Sequence, residues 1–285
     1  MPNLYLLTFE LLIYLLFILC FLHAWRRGPA AVGQLLAGIF YGWLLEWATI
    51  QELHAYHYAR FLLMFGDVPV AVGIAWGVII YSVMLVSQAS SLPDWAQPVL
   101  DGLLALNIDL VMDAVAIRLG MWDWGLGLTQ QYFGVPYVNF WAWFWVVFSF
   151  SLGLRGLRHA SRVIVRRWAP AGAIFVGLVG VTGMNTFIRG IVSSNGFLAT
   201  ILVALGVALS LMLWLRPKLN LVPLSPLAFW VPFGFHAYFL MAGLLSGALF
   251  RPPFLLGVSL AMFLLALYWH RATWLPGSFN KSAAV

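Results

Sequence analysis

Long apolar runs make up most of this chain, and short polar loops separate them. The runs are continuous rather than alternating, which indicates α-helices and not the strands of a barrel. Each run is close to the roughly 20 residues that a helix needs to cross a bilayer. The pattern predicts one integral membrane domain over residues 1–285, an all-α polytopic transmembrane helical bundle of about nine spans. The spans are expected near residues 4–25, 30–50, 68–87, 97–117, 137–154, 170–189, 196–215, 227–249 and 254–271.

Composition agrees with this fold class. Hydrophobic residues make up 63% of the chain and charged residues only 8%, whereas soluble domains carry about 25% charged residues. The first run has no basic segment before it and no small-residue cleavage site, so we expect a retained anchor rather than a signal peptide. Cys20 is the single cysteine, which excludes a disulfide framework.

The basic residues predict the orientation, because cytoplasmic loops are enriched in Lys and Arg. If the N-terminus is outside, the inner loops contain Arg26, Arg27, Arg155, Arg158, Arg162, Arg166, Arg167, Arg216, Lys218, Arg271 and Lys281. The outer side then keeps only Arg60, Arg118, Arg189 and Arg251. The C-terminus is therefore expected inside. Eight spans are possible, but they would break this asymmetry beyond the lost helix. Membrane orientation explains the net charge of +6, so no nucleic-acid partner is predicted.

The acidic residues are confined to the first part of the chain, and none follows Asp123. In the predicted topology Glu10, Glu46, Asp109 and Asp113 share one depth in the outer half of the membrane. A charged side chain near the bilayer centre costs about 2.5–3.5 kcal/mol on insertion scales. Such residues face the bundle interior and mark functional sites by default.

Asp109 and Asp113 are the strongest candidates among these acids. They are four residues apart on one helix face, roughly 6 Å along the axis. Two buried carboxylates repel each other, which favours a proton on one of them. A neutral carboxylic acid is a proton donor. Two alternatives stay open: Asp113 could pair with Arg118, and Glu46 could belong to a hydrogen-bond network at a helix interface.

Aromatic residues are dense around these acids, in "MWDWG" and "YFGVPYVNFWAWFW". Part of this density is an interfacial belt, but aromatic faces also stabilise cations by about 0.5–2 kcal/mol each. A neutral acid surrounded by aromatic rings suits chemistry through a carbocation. Asparagines could hold a water or orient a carboxyl group, namely Asn107, Asn139, Asn185 and Asn195, and Arg189 could pair with an acid.

No metal site is predicted. His54 and His57 are three residues apart beside Glu52, a spacing compatible with metal binding, but no third ligand is in register. His236 lies in mid-span, where a hydrogen-bonded histidine of the bundle interior is the better interpretation.

A set of residues now points to a known family. It comprises Asp109, Asp113, Gly120, Trp122, Trp124, Gly134, Pro136, Asn139 and Phe140. With "FGDVPVAVGIAWGVIIYS", this set resembles the membrane-bound carotenoid biosynthesis proteins. These include bacterial and archaeal carotenoid 1,2-hydratases, such as the gamma-carotene and bisanhydrobacterioruberin hydratases. The similarity is clearest from about Glu46 to Phe150. The chain departs from the family at Ala114, where a proline often follows the second aspartate.

The resemblance implies a hydro-lyase that adds water to the terminal 1,2 double bond of an acyclic carotenoid, with no cofactor. It implies Asp113 as proton donor and Asp109 as its partner or as the water-orienting base, with Glu46 in reserve for either role. The residues expected to contact substrate are Trp76, Trp122, Trp124, Tyr132, Pro136, Asn139 and Trp141. The expected partners are a lipid-soluble carotenoid, membrane lipid and other carotenoid biosynthesis enzymes. The expected location is the cytoplasmic membrane of a prokaryote.

Three other functions fit parts of the pattern. A carotenoid cyclase would use the same protonation, with an internal alkene capturing the cation instead of water. A proton-coupled transporter also uses buried carboxylates, but the acidic residues here hardly reach the inner half of the membrane. A non-catalytic scaffold for other pigment enzymes is the third.

Overall fold

The computed structural model describes residues 3–218 and 225–271. Within those ranges the chain forms ten α-helices. They are α1 (Leu4–Arg27), α2 (Pro29–Leu53), α3 (Val70–Gln88), α4 (Gln97–Ala116), α5 (Tyr137–Arg158), α6 (Val163–Arg167), α7 (Ala169–Gly190), α8 (Phe197–Leu215), α9 (Leu227–Ser246) and α10 (Phe254–Trp269). Four strands of two residues each lie in the loops: β1 (His57–Tyr58), β2 (Met64–Phe65), β3 (Val68–Pro69) and β4 (Trp122–Asp123).

Each predicted span coincides with one long helix, and the short α6 lies in the basic segment between α5 and α7. In the part of the chain that the structure describes, six helices are long and apolar enough to cross a membrane: α1, α3, α5, α7, α8 (with the preceding 3-10 turn, Ser194–Leu215) and α9. The chain is therefore an all-α membrane protein. Nine crossings and the orientation of the termini remain predictions, and Lys281 lies outside the described residues.

The helix α3 lies at the centre of the bundle. It packs against α1, α2, α4, α5 and α9, and 89% of its apolar window is buried. The corresponding windows of α7 and α8 are only 22% and 17% buried. Most of their exposed side chains are apolar, as at Phe175 and Trp214. A lipid-facing surface has this composition, so α7 and α8 form the periphery.

Glycine allows α2 and α3 to pack closely. A Cβ atom on Gly38 would lie 3.2 Å from the Cα of Gly77. A Cβ atom on Gly42 would lie 2.2 Å from the Cβ of Trp76, which is closer than real Cβ contacts allow. The absence of a side chain at Gly42 therefore creates the space that Trp76 occupies.

Two small antiparallel ribbons organise the loops at one end of the bundle. β1 pairs with β4, so that His57 lies opposite Asp123 and Tyr58 opposite Trp122. β2 pairs with β3 in a hairpin just before α3. The Asn3 side chain donates a hydrogen bond of 2.8 Å to the carbonyl of Leu119 in the same group of loops. We call this end, with loops 54–69 and 117–136, the ribbon end.

The other end of the bundle contains most of the basic residues, and we call it the arginine end. Loops 89–96 and 216–218 meet there, where the backbone N–H of Ser91 donates to the carbonyl of Lys218 at 2.9 Å. The basic residues at this end are Arg26, Arg27, Arg155, Arg158, Arg162, Arg166, Arg167, Arg216, Lys218 and Arg271.

Candidate active site

A buried pair of carboxyl groups lies near the ribbon end of α4. Asp109 is 0% exposed and Asp113 is 4% exposed. The side-chain amide of Asn139 in the first turn of α5 donates 2.6 Å to Asp113 Oδ2 and 3.2 Å to Asp109 Oδ2. The two carboxyl groups therefore share one amide donor and lie close together. Two buried carboxylates at this proximity repel each other, which favours a proton on one of them.

Arg118 does not pair with Asp113. Its guanidinium group donates instead to four backbone carbonyls, of Ala114 at 2.8 Å, Phe133 at 2.7 Å, Leu128 at 2.8 Å and Arg251 at 3.1 Å. In residues 3–218 and 225–271, neither Asp109 nor Asp113 has an ion pair with a basic side chain. Arg118 therefore orders the loops of the ribbon end, and the carboxyl pair has no cationic partner there.

Glu46 is the second buried acid of this region and is 5% exposed. Its Oε1 accepts a hydrogen bond of 2.7 Å from the indole N–H of Trp76. Its Oε2 accepts one of 2.7 Å from the Tyr58 hydroxyl and another from the Tyr56 hydroxyl. Burial, and then the charge of Glu46, raise the pKa of Tyr56 and of Tyr58 well above the ordinary value. Both phenols therefore stay protonated and remain donors.

A cavity of about 100 Å³ connects these two groups of polar residues. A single water needs roughly 10–15 Å³ of such volume, so the cavity can hold more than one. Asp113 lines the cavity, and Asp109 is not among its lining residues. The residues with side chains of chemical interest along its wall are Glu46, Thr49, Tyr56, Tyr58, Trp76, Met112, Asp113, Trp122, Trp124, Asn139, Trp143, Asn185 and Arg189. Asp113 is therefore the member of the pair that a bound molecule would meet.

Aromatic rings form much of the cavity wall. The rings of Trp76 and Trp143 have centroids 4.1 Å apart. The rings of Tyr56 and Trp124 are 4.3 Å apart, and Trp122 packs edge-on against Tyr58. The ribbon of β1 and β4 places Tyr58 and Trp122 side by side. An electron-deficient centre in this cavity would therefore face several π-systems.

Three residues expected at the substrate lie elsewhere. Tyr132 donates from its hydroxyl to the carbonyl of Leu110 at 2.8 Å. Pro136 precedes the first turn of α5. Trp141 donates from its indole to the carbonyl of Met184 at 3.1 Å and packs with Ile188 of α7. None of these three is among the cavity-lining residues.

Three aromatic residues of the wall were not among the expected substrate contacts. Trp143 lies two residues beyond Trp141, on the helix face that meets the cavity. Tyr56 and Tyr58 belong to a loop whose only signal is the alternation in "HAYHYAR". The structure brings the predicted Asp109, Asp113, Glu46, Asn139, Trp76, Trp122 and Trp124 together with these three residues.

The remaining candidates have other neighbours. Glu10 accepts hydrogen bonds from the backbone N–H groups of Leu62 at 2.8 Å and Leu63 at 3.1 Å, and it does not line the cavity. Glu10 thus holds the loop before α3. His236 is hydrogen-bonded to Asn107 at 2.9 Å. Within the described ranges, no group of three His, Cys, Asp or Glu side chains could hold a metal ion.

The comparison with protein families gives a clear match. The family model described as "Carotenoid biosynthesis protein" matches residues 4–213. No curated protein and no solved structure matches the chain. The matched region includes the whole carboxyl pair and all of the cavity wall.

Proposed function

The chain belongs to the carotenoid biosynthesis protein family, and on that premise we propose that it is a carotenoid 1,2-hydratase. In this proposal it adds water to the terminal 1,2 double bond of an acyclic carotenoid end group. The reaction needs no redox change and no cofactor. The substrate enters from the lipid, because it dissolves only there.

The proposed first step is a proton transfer from Asp113 to the alkene. The proton adds to C2 of the end group, and the positive charge develops at C1, where a tertiary carbocation is the most stable. The oxygen of a water then bonds to C1, and one proton leaves that oxygen. Asp109, linked to Asp113 through the Asn139 amide and away from the cavity, disfavours a second negative charge and so keeps Asp113 in its acid form.

The observation that carries this proposal is the asymmetry of the carboxyl pair. One member faces an aromatic cavity, and the other is enclosed behind it. Without an ion pair in the described residues, the two carboxyl groups hold a proton more readily than a salt-bridged carboxylate does. The aromatic rings along the wall stabilise the positive charge that forms, by about 0.5–2 kcal/mol for each well-placed ring.

Expression in cells that accumulate lycopene tests the proposal. We expect pigments whose mass has increased by one water, detected by chromatography and mass spectrometry. An isomer of unchanged mass that absorbs at shorter wavelength would identify a cyclase instead. Unchanged pigments, with the protein abundant in the membrane fraction, would refute both activities.

A proton-coupled transporter is less well supported. The buried acid nearest the arginine end is Asp101, and it forms an ion pair of 3.0 Å with Arg155. A neutralised carboxylate is a poor relay site.

We further propose that the ribbon end faces outward and the arginine end faces the cytoplasm of a prokaryotic cell, because inner loops are rich in Arg and Lys.

A further inference from the structure

We propose that Glu46 is the base of the reaction, and that its carboxylate binds the attacking water in the cavity that Asp113 also lines. This inference rests on the proposed function and assigns the step that the aspartate pair leaves open. In this proposal two residues of the same cavity have separate roles: Asp113 protonates the alkene, and Glu46 deprotonates the water.

The hydrogen bonds of Glu46 match a carboxylate with one place free. An ionised carboxylate accepts at about four positions, two on each oxygen. The hydroxyls of Tyr56 and Tyr58 occupy both positions on Oε2, and the indole of Trp76 occupies one on Oε1. The fourth position, on Oε1, is open to a water, and Glu46 lines a cavity with room for it.

The neighbours of the two acids differ in kind. Glu46 is surrounded by three donors, which stabilise the charged form. Asp113 receives one strong hydrogen bond, from Asn139, whose amide also donates to the second acid, Asp109. One carboxyl group held by three donors and another held beside a second acid differ in the way expected of a base and an acid.

The proton balance closes within the cavity. The carboxyl proton of Asp113 forms the new C–H bond at C2, and the water oxygen forms the C–O bond at C1. The second proton of the water passes to Glu46. It then returns through cavity water to the aspartate pair, which restores both groups. Capture by water rather than by an internal alkene follows from this bound nucleophile, so Glu46 determines hydration over cyclisation.

Hydrogen exchange separates the two roles. Membranes containing the full chain are incubated with lycopene in D₂O. Two quantities are measured by mass spectrometry: hydrated carotenoid, and deuterium in the recovered lycopene. Deuterium enters lycopene when Asp113 donates a deuteron to C2 and the cation then loses a proton from C2. Exchange therefore reports protonation alone, and hydration reports protonation with capture.

The Glu46→Gln variant should lose at least about 100-fold in hydration, the lower range for a general base, while exchange persists. The ratio of exchange to hydration should rise at least about tenfold, which a purely structural defect would not produce. Glu52→Gln, an exposed position on the same helix, is the matched control and should behave as the wild type. If Glu46→Gln does not accumulate, Glu46→Asp should show the same rise in the ratio.

Two outcomes would overturn the inference alone. One is hydration by Glu46→Gln at the wild-type rate. The other is an equal loss of hydration and exchange in a variant present at wild-type abundance. If the wild-type chain neither hydrates nor exchanges lycopene, the proposed function itself fails, so the two failures are distinguishable.

Discussion

One helix, α4, carries buried carboxyl groups in two different settings. Near the arginine end, Asp101 is 0% exposed and forms its ion pair with Arg155. Near the ribbon end, Asp109 and Asp113 share one amide donor and have no ion pair in the described residues, and Asp113 lines the cavity. Similar chemical groups at similar burial thus differ in whether their charge is compensated.

The compensated site joins three helices. Arg155 of α5 donates to Ser151 Oγ at 3.0 Å, to Ser87 Oγ at 2.8 Å and to the side chain of Gln97. Ser151 also donates to Asp101 at 2.6 Å. These bonds link α3, α4 and α5. A buried acid that is neutralised in this way holds the bundle together, whereas an uncompensated acid beside a cavity is available for chemistry.

The largest expected effect on turnover comes from a change at Asp113, which has no ion pair in the described residues. Asp113→Asn keeps the shape of the side chain but removes the acid. Product per folded protein should fall at least about 100-fold, because general acid catalysis contributes roughly 10²–10⁴-fold. Hydrated carotenoid is measured against protein abundance in the membrane. Asp123→Asn, at an exposed loop position, is the control; wild-type turnover by Asp113→Asn would remove Asp113 from the mechanism.

Removal of the Asn139 amide should have the next largest effect on turnover. Asn139→Leu removes the donor that bridges the two carboxyl groups. Hydrogen bonds to charged groups contribute about 1.5–3 kcal/mol, so turnover should fall about 10- to 100-fold. Asn107→Leu is the matched control, because Asn107 is bonded to His236 and Met262 away from the cavity. Equal losses of turnover in both variants would contradict a specific role for the bridge.

The position of Trp76 in the cavity wall should depend on Gly42, which packs against it. Gly42→Ala forces Trp76 to move, since the new Cβ would overlap its side chain. We expect turnover to drop about tenfold, since small displacements at a reacting site are costly. Gly73→Ala is the comparison, because its Cβ would lie 3.1 Å from Trp43, which is not at the cavity. Undiminished turnover in Gly42→Ala would show that the position of Trp76 does not matter.

A change in the ion pair of Asp101 and Arg155 should have the smallest effect on turnover and a large effect on stability. Arg155→Met leaves Asp101 buried without its partner, which costs about 3–5 kcal/mol. Turnover per folded protein should stay within about twofold, because Asp101 and Asp109 are roughly 12 Å apart along α4. Thermal unfolding in detergent measures the stability.

The double variant Arg155→Met/Asp101→Leu completes this test. Replacing both partners with apolar side chains removes the unpaired charge, so stability should recover most of the loss. If Arg155→Met abolished turnover at unchanged stability, the division between a structural and a chemical half of α4 would be wrong.

The sequence was sufficient to predict the helices. Continuous apolar runs gave bounds close to those observed, as for α4 and α5. Membership of the carotenoid biosynthesis family, inferred from residues near Asp109, Asp113 and Asn139, is confirmed by the family match. Both results depend on local patterns, which hydropathy and short motifs record directly.

Contacts between distant segments could not be predicted in the same way. Arg155 was assigned to an inner loop because Arg is common there, but it turns into the bundle to meet Asp101. Glu10 was grouped with the cavity acids by membrane depth, which says nothing about the direction a side chain faces. Tyr56 and Tyr58 reach Glu46 because their loop folds back over α2.

The ribbon of β1 and β4 has a consequence for biogenesis. Its strands are separated in the chain by α3 and α4, so Tyr58 cannot pair beside Trp122 until both helices have been synthesised and inserted. The ribbon beside Glu46 therefore forms only after the acidic residues of α4 have entered the membrane. A nascent chain that ends within α4 already contains Glu46 but lacks β4, the strand that pairs with β1 beside Glu46.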